Sequence, residues 1–308
     1  MDILVEDVVR VILTRYATAY QPLCSLAWPK RHYVQPSQYD DSFSSLKQIA
    51  REGRIELLQW LRHKLLLHDN DWSECEKDEL MRAAARGGYM RLVQMCHDEW
   101  GATDVERLIR YAAKAGNEEI VRLCHEKWGV INPRTAMASA ADGGHEQIVR
   151  LCYEQWNVRD ENWSMCAAAK SGHERIVRLC HDEYGATDVD GAIRVAAEKG
   201  HEHIVRLFLK VWNEGDVNVA MSHAAAGGHM WLVRLCYDEW GATNVNLALE
   251  WAACGGHIEI VRVCIESWGA TSVDAAMEFA AGFGHEDIVK MCRGWMNARS
   301  RCVGLQMC

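Results

Sequence analysis

The feature that most constrains this chain is a glycine that returns every 28 residues. In a recurring Ala-Ala-x-x-Gly-His pattern it stands at Gly88, Gly116, Gly144, Gly172, Gly200, Gly228, Gly256 and Gly284, and Gly53 marks a divergent copy 35 residues upstream. Counting that glycine as position 13, nine copies start at Asp41, Glu76, Asp104, Asn132, Asp160, Asp188, Asp216, Asn244 and Ser272. Residues 69–75 are an insertion between the first two copies. A unit this short cannot bury its apolar side alone, so the period itself implies that copies stack on one another.

Each copy reads as a helix, a tight turn and a second helix. Position 1 is Asp, Asn or Ser in eight of the nine copies, residues whose side-chain oxygen caps a helix N-terminus. Pro133 follows Asn132, at a position where proline costs the helix no hydrogen bond. Positions 2, 5, 6, 9 and 10 form one apolar stripe, as in Val189, Ala192, Ile193, Ala196 and Ala197. The position-13 glycine supplies a left-handed turn. The second helix keeps positions 17, 18, 21 and 25 apolar, as in Ile176, Val177, Cys180 and Tyr184. It ends at Gly or, at Asn157 and Asn213, at a residue that tolerates the same backbone. No strand pattern fits between copies. The expected fold is an all-α solenoid of nine helix-turn-helix repeats, a curved rod on the order of 80–90 Å long at roughly 8–10 Å per packed layer.

The strings AAARGGYMRLVQ, AADGGHEQIVRLC and AACGGHIEIVRVC resemble the core of ankyrin repeats, and the likeness runs in register over residues 41–296. An ankyrin repeat has about 33 residues and a Thr-Pro-Leu-His turn. Here the copies are shorter and lack that turn, which implies loss of the β-hairpin fingers. The ending LCHDEWGAT is similar to the short ankyrin-type repeats of large DNA viruses. The resemblance implies a protein-binding role.

Composition narrows the class further. The 308 residues carry 34 Lys+Arg against 43 Asp+Glu, a net charge of −9, which disfavours nucleic acid as partner. An apolar content of 49% excludes disorder. No window approaches ~18 consecutive apolar residues, so no membrane span is expected, and the acidic opening MDILVEDVVR does not read as a secretory signal. The 13 cysteines are odd in number and sparse for a disulfide scaffold. Reduced thiols in the cytosol or nucleus are expected, those of the host cell if the chain is viral.

Several residue types recur in register and invite chemical readings. Cys96, Cys124, Cys152, Cys180, Cys236, Cys264 and Cys292 occupy position 21. Sulfurs one helix layer apart cannot share a zinc ion with bonds of about 2.3 Å, so they read as small buried hydrophobes. His145, His173, His201, His229, His257 and His285 follow the turn glycine and read as structural. Position 19 carries Arg122, Arg150, Arg178, Arg206, Arg234, Arg262 and Lys290. Glu118, Glu146, Glu174, Glu202 and Glu286 stand four residues earlier, the favourable order for a helix-surface pair. The stripe therefore reads as a solvated face, and a nucleic-acid-binding solenoid using it is the alternative. Trp100, Trp128, Trp156, Trp212, Trp240 and Trp268 at position 25 read as wedges between copies. No phosphate loop, nucleophile elbow or Cys/His catalytic pairing stands outside the repeat register. Neither enzyme activity, a cofactor nor a metal site is expected.

Recognition residues should be those that differ between copies. Positions 4, 7, 8 and 11 vary most and lie opposite the apolar stripe of the first helix, a face that ankyrin-like stacks turn toward their concave groove. Position 8 is His223, Trp251 and Phe279 in three consecutive copies, and Tyr111 in an earlier one. Trp231 at position 16 and Phe283 at position 12 lie near hairpin turns, and Trp163 stands at position 4. Large exposed aromatics on neighbouring copies are the usual composition of a protein-recognition hot spot. The expected partner-binding set is Tyr111, Trp163, His223, Trp231, Trp251, Phe279 and Phe283; the competing reading packs these side chains between copies.

Residues 1–40 do not fit the repeat. Residues Leu4 to Leu13 open an amphipathic helix, a break follows at Pro22, and Trp28 precedes basic Lys30-Arg31-His32. The segment resembles an F-box, with Leu4-Val5 where that family has Leu-Pro. The resemblance implies that Leu4, Val8, Val9, Ile12, Leu13 and Trp28 contact the Skp1 adaptor of a cullin ubiquitin ligase while the solenoid presents a substrate. The competing reading is a cap that shields the first repeat. Residues 297–308 read as a flexible tail.

Overall fold

A computed structural model describes residues 42–66, 72–131 and 133–305. Among the described residues every regular element is helical and no strand occurs. The helices pack in sequence-adjacent pairs, the arrangement of an all-α solenoid. Contacts divide the chain into two units, one ending at Ala136 and one beginning at Met137.

The first unit contains the hairpins Ser42–Arg51 with Ile55–Leu66, Glu74–Gly87 with Met90–Asp98, and Val105–Lys114 with Glu118–Arg122. Its first helices lie side by side from copy to copy. The middle hairpin starts ahead of the repeat. The Ser73 hydroxyl accepts from the Glu76 amide at 3.3 Å, and the Glu76 carboxylate accepts from the Ser73 amide at 2.8 Å, a capping box. The insertion thus supplies the cap that Glu76, at position 1 of this copy, cannot. It also supplies Trp72, buried edge-on against Trp100 with ring centroids 5.1 Å apart.

The second unit, which begins inside the helix Arg134–Gly143, pairs that helix with Glu146–Arg150, Glu161–Ser171 with Glu174–Arg178, and Val189–Glu198 with Glu202–Arg206. It continues with Val217–Ala226 and Met230–Arg234, Val245–Gly255 and Ile258–Glu266, and Val273–Gly282 and Glu286–Leu305. The apolar stripes meet inside each unit: Ile193, Ala196, Ala197, Val177 and Cys180 are wholly buried. Each fully buried Val or Ile side chain contributes about 1.5–3 kcal/mol, which a single hairpin has no surface to realise. The small residues at positions 9 and 10 have a backbone role as well. The His257 amide donates to the Ala252 carbonyl at 2.9 Å and the Gly256 amide to Ala253 at 3.4 Å, with Gly256 at φ 81°. This is the two-bond stop that a left-handed glycine permits.

Two endings differ from the sequence expectation. Five second helices close with a π-helical turn, such as Leu235–Glu239. There the Trp240 amide donates to Leu235 at 3.1 Å and the Ala242 amide to Cys236 at 2.9 Å. Asn157 and Asn213 end their helices at φ 53° and 56°, as their place in the repeat requires. The last helix runs through Leu305, so residues 297–305 are helical where a tail was expected. Its Gly-Ala-Thr stop is replaced by Asn297-Ala298-Arg299, and Ala and Arg are strong helix formers.

Candidate functional site

The recurring polar residues must be placed before any can be assigned to a partner. Most of them join one copy to the next. The Nε2 atoms of His173, His201, His229, His257 and His285 lie 3.1, 3.0, 2.9, 2.9 and 3.0 Å from the carbonyls of Asp142, Lys170, Glu198, Ala226 and Cys254, respectively. Each acceptor is position 11 of the preceding copy. A carbonyl only accepts, so Nε2 carries the proton and donates. Asn117, at the same position in its copy, donates its side-chain amide instead to the carbonyl of Ala85, position 10 of the preceding copy.

A second junction escaped the sequence reading. The Asp78 carboxylate accepts from the Thr103 and Asp104 amides at 2.8 and 3.1 Å, and Asn246 accepts from those of Thr271 and Ser272 at 2.7 and 3.2 Å. Asn162 and Asn218 make the equivalent bonds. All four are position 3, so Asp or Asn recurring there was the available signal.

The position-25 rings lie between copies as expected, yet only Trp100 and Tyr184 are fully buried; Trp128, Trp212, Trp240 and Trp268 are half-buried. Most are roofed by the position-22 ring of the preceding copy. His97 stacks on Trp128 at 4.0 Å, Tyr153 on Tyr184 at 3.6 Å, His181 on Trp212 at 3.9 Å and Tyr237 on Trp268 at 4.3 Å. All seven position-21 thiols are buried, and burial pushes those of Cys96, Cys124, Cys152, Cys180, Cys236 and Cys264 up to about 12. Among the described residues no three His, Cys, Asp or Glu side chains gather as a metal site would need.

The position-19 stripe is drawn into ion pairs. Arg122 meets Glu118 and Glu126, Arg150 meets Glu146, Glu154 and, across copies, Glu183, and Arg178 and Arg206 meet Glu174 and Glu202. Arg262 pairs with Glu259. Lys290 turns to Asp287 at 3.9 Å rather than to the expected Glu286. Arg234 has no ion pair among the described residues, because position 15 of its copy is Met230.

The predicted recognition residues fall into three groups. The first is continuous. Position 8 of three side-by-side first helices carries His223, Trp251 and Phe279, with Trp251 38% and Phe279 45% exposed. The His223 and Trp251 rings touch, 5.1 Å between centroids. Burial, aided by the nearby Arg194 charge and opposed by Glu198, holds the His223 imidazole below its ordinary value. Phe283, one helical turn beyond Phe279, is 63% exposed. The second group separates from this face. Trp231 is exposed, but it lines a groove of about 320 Å³ with Arg234, Leu235, Asp238 and Glu239 of its own second helix and Glu202 of the copy before. The third consists of residues apart from both. Trp163 is exposed on Glu161–Ser171, and Tyr111 is half-buried in the first unit with the Arg86 guanidinium 4.1 Å above its ring. Tyr111 is thus engaged within the fold.

Leu4, Val8, Val9, Ile12, Leu13 and Trp28 lie outside the described residues. No helix among the described residues is long and apolar enough to cross a membrane. Compared with models of protein families and with curated proteins, the chain matches none.

Proposed function

We propose that this chain is a non-catalytic, ankyrin-like interaction solenoid that holds a protein partner on the first-helix face of the copies from Asp216 to the last hairpin. One observation carries the reading: His223, Trp251 and Phe279 occupy one register on adjacent helices, and the two larger rings keep a substantial exposed surface. The fold does not require them there, since Ser139 and Ala167 fill position 8 in other copies of the same unit. Aromatic side chains exposed in a row are the material of binding hot spots. The test is a W251A/F279A double variant, assayed for both stability and partner capture. The reading expects a melting temperature close to that of the parent and loss of the captured protein. Lowered stability with capture intact would sink it.

The more specific form of the proposal is a substrate receptor. Residues 1–40, by their resemblance to an F-box, would dock the Skp1 adaptor, and the solenoid would present its bound protein to a cullin ligase in the cytosol or nucleus of a host cell. Purified Skp1 should bind the full chain and lose that binding to a V8D/I12D variant. Absence of binding to the parent chain reduces residues 1–40 to a cap. Nucleic acid on the position-19 stripe has weaker support, because six of its seven cations already face carboxylates.

A further inference from the structure

The aromatic face carries a charge signature that bears on what it binds. The first helices Val245–Gly255 and Val273–Gly282 hold Glu250, Asp274 and Glu278 and contain no Lys or Arg. The chain has no lysine or arginine between Arg234 and Arg262, nor between Arg262 and Lys290. None of the three carboxylates forms an ion pair among the described residues. The contrast with the second helices is sharp, since Glu146, Glu174 and Glu202 each face an arginine. Asp274 and Glu278 stand four residues apart on one helix, like charges that no lysine or arginine of that helix offsets.

These carboxylates flank the exposed rings. Glu250 immediately precedes Trp251, and Glu278 immediately precedes Phe279. The charges of Arg194 and Glu198, at positions 7 and 11, reach the position-8 side chain of the following copy, His223. Two copies further on, the corresponding three positions are Glu250, Cys254 and Phe279. An aromatic face edged by unpaired carboxylates is complementary to a side chain that is both cationic and flat or long-stemmed, which is arginine first and lysine second.

Resting on the partner-binding reading above, we infer that this face takes a basic segment of the partner, its Arg or Lys side chains stacking on Trp251 and Phe279 and pairing with Glu250 and Glu278. Successive rings belong to helices roughly 8–10 Å apart. An extended chain advances about 3.3 Å per residue, so the segment places its basic residues about three apart.

The test uses the full-length chain and a random twelve-residue peptide library displayed on phage. Peptides enriched on the parent protein are synthesised and titrated against the parent, E250Q/E278Q, E250K/E278K and W251A/F279A. The expected result is a set of net-positive peptides with spaced Arg or Lys, weakened roughly tenfold or more by E250Q/E278Q and lost with W251A/F279A. Selection on E250K/E278K should then yield acidic peptides. Enriched peptides that need Trp251 and Phe279 but are neutral or acidic, or are indifferent to E250Q/E278Q, overturn the charge inference and leave the docking face standing. Enrichment of no peptide that depends on the two rings overturns both. Glu278 is exposed and Glu250 half-buried, and neither forms an ion pair among the described residues, so the Glu→Gln changes read out charge even if the aromatic double variant loses stability.

Discussion

His257 donates from Nε2 to the carbonyl oxygen of Ala226, 2.9 Å away and one copy earlier. That bond satisfies a carbonyl near the end of one hairpin's first helix with a side chain from the turn of the next. Replacing His257 by alanine leaves the acceptor without its donor at a partly buried site, a cost of about 1–3 kcal/mol. His257→Asn should recover only part of the loss, since Asn117, at the same position of another copy, reaches the preceding copy at the neighbouring carbonyl, Ala85. Urea denaturation of the three proteins checks this. An alanine variant that unfolds at the parent's midpoint would show that the bond contributes nothing.

The glycines should not be equivalent. Gly256 and Gly269 are both left-handed, at φ 81° and 70°. Such a backbone disfavours other residues by about 1–2 kcal/mol. A methyl at Gly256 would also meet Cε1 of His285 at 2.7 Å, whereas nothing lies within 4 Å of one at Gly269. Gly256→Ala should therefore destabilise more than Gly269→Ala and should disturb the His285 junction. Hydrogen exchange at the turn amides, read beside the melting temperatures, separates the two costs. Equal losses would refute the crowding argument.

Two histidines should move stability with pH in opposite directions. Burial opposes charge on His181, but hydrogen bonds to Asp182 and Glu214, with their charges, outweigh it and raise its value above 6.5. A raised value stabilises the fold fully below the unfolded value, and that contribution is lost as pH rises through the folded one. His223 is lowered, chiefly by burial. Its contribution is full above the unfolded value of 6.5 and is lost as pH falls through the folded value. His181→Gln should thus flatten the decline of stability on the alkaline side, and His223→Gln the decline on the acid side. Urea midpoints measured between about pH 5 and 8 decide it; identical profiles for both variants would contradict the assignment.

The thiols should divide by position. Cys75 is exposed, whereas Cys96, Cys124, Cys152, Cys180, Cys236, Cys264 and Cys292 are buried and their thiols are raised by burial. Since only the thiolate attacks, brief alkylation of the native protein should label Cys75 and spare the position-21 set until denaturant is added. Peptide mapping by mass spectrometry reads this directly. Early labelling at Cys180 or Cys264 would mean that the inter-copy core opens far more readily than its burial implies.

The sequence by itself determined the period, the two helices of each copy and the chemistry of their turns. Those features are local. Gly256 turns because of its own backbone freedom, and Asn213 does so because it is one of the few other residues that tolerate that conformation. The apolar stripe through Ile193 and Ala196 follows from a spacing of 3.6 residues per turn. Variation at position 8 was also legible without a fold, because copies of one chain can be compared with each other.

Only the tertiary structure decided how the copies are joined and which aromatics share a face. The Asn246 junction and the His181–Trp212 stack link residues 25 to 31 positions apart, and neither partner's own surroundings announce the other. Trp231 and Trp251 show the same limit. Both are exposed tryptophans near hairpin turns, yet one sits in a groove of the second helix and the other stands on the first-helix face beside His223. Eight residues from position 8 to position 16 cross the turn and reverse the chain, so the direction of each ring depends on how the two helices pack. Stacking sets that packing, and stacking is a property of neighbouring copies together.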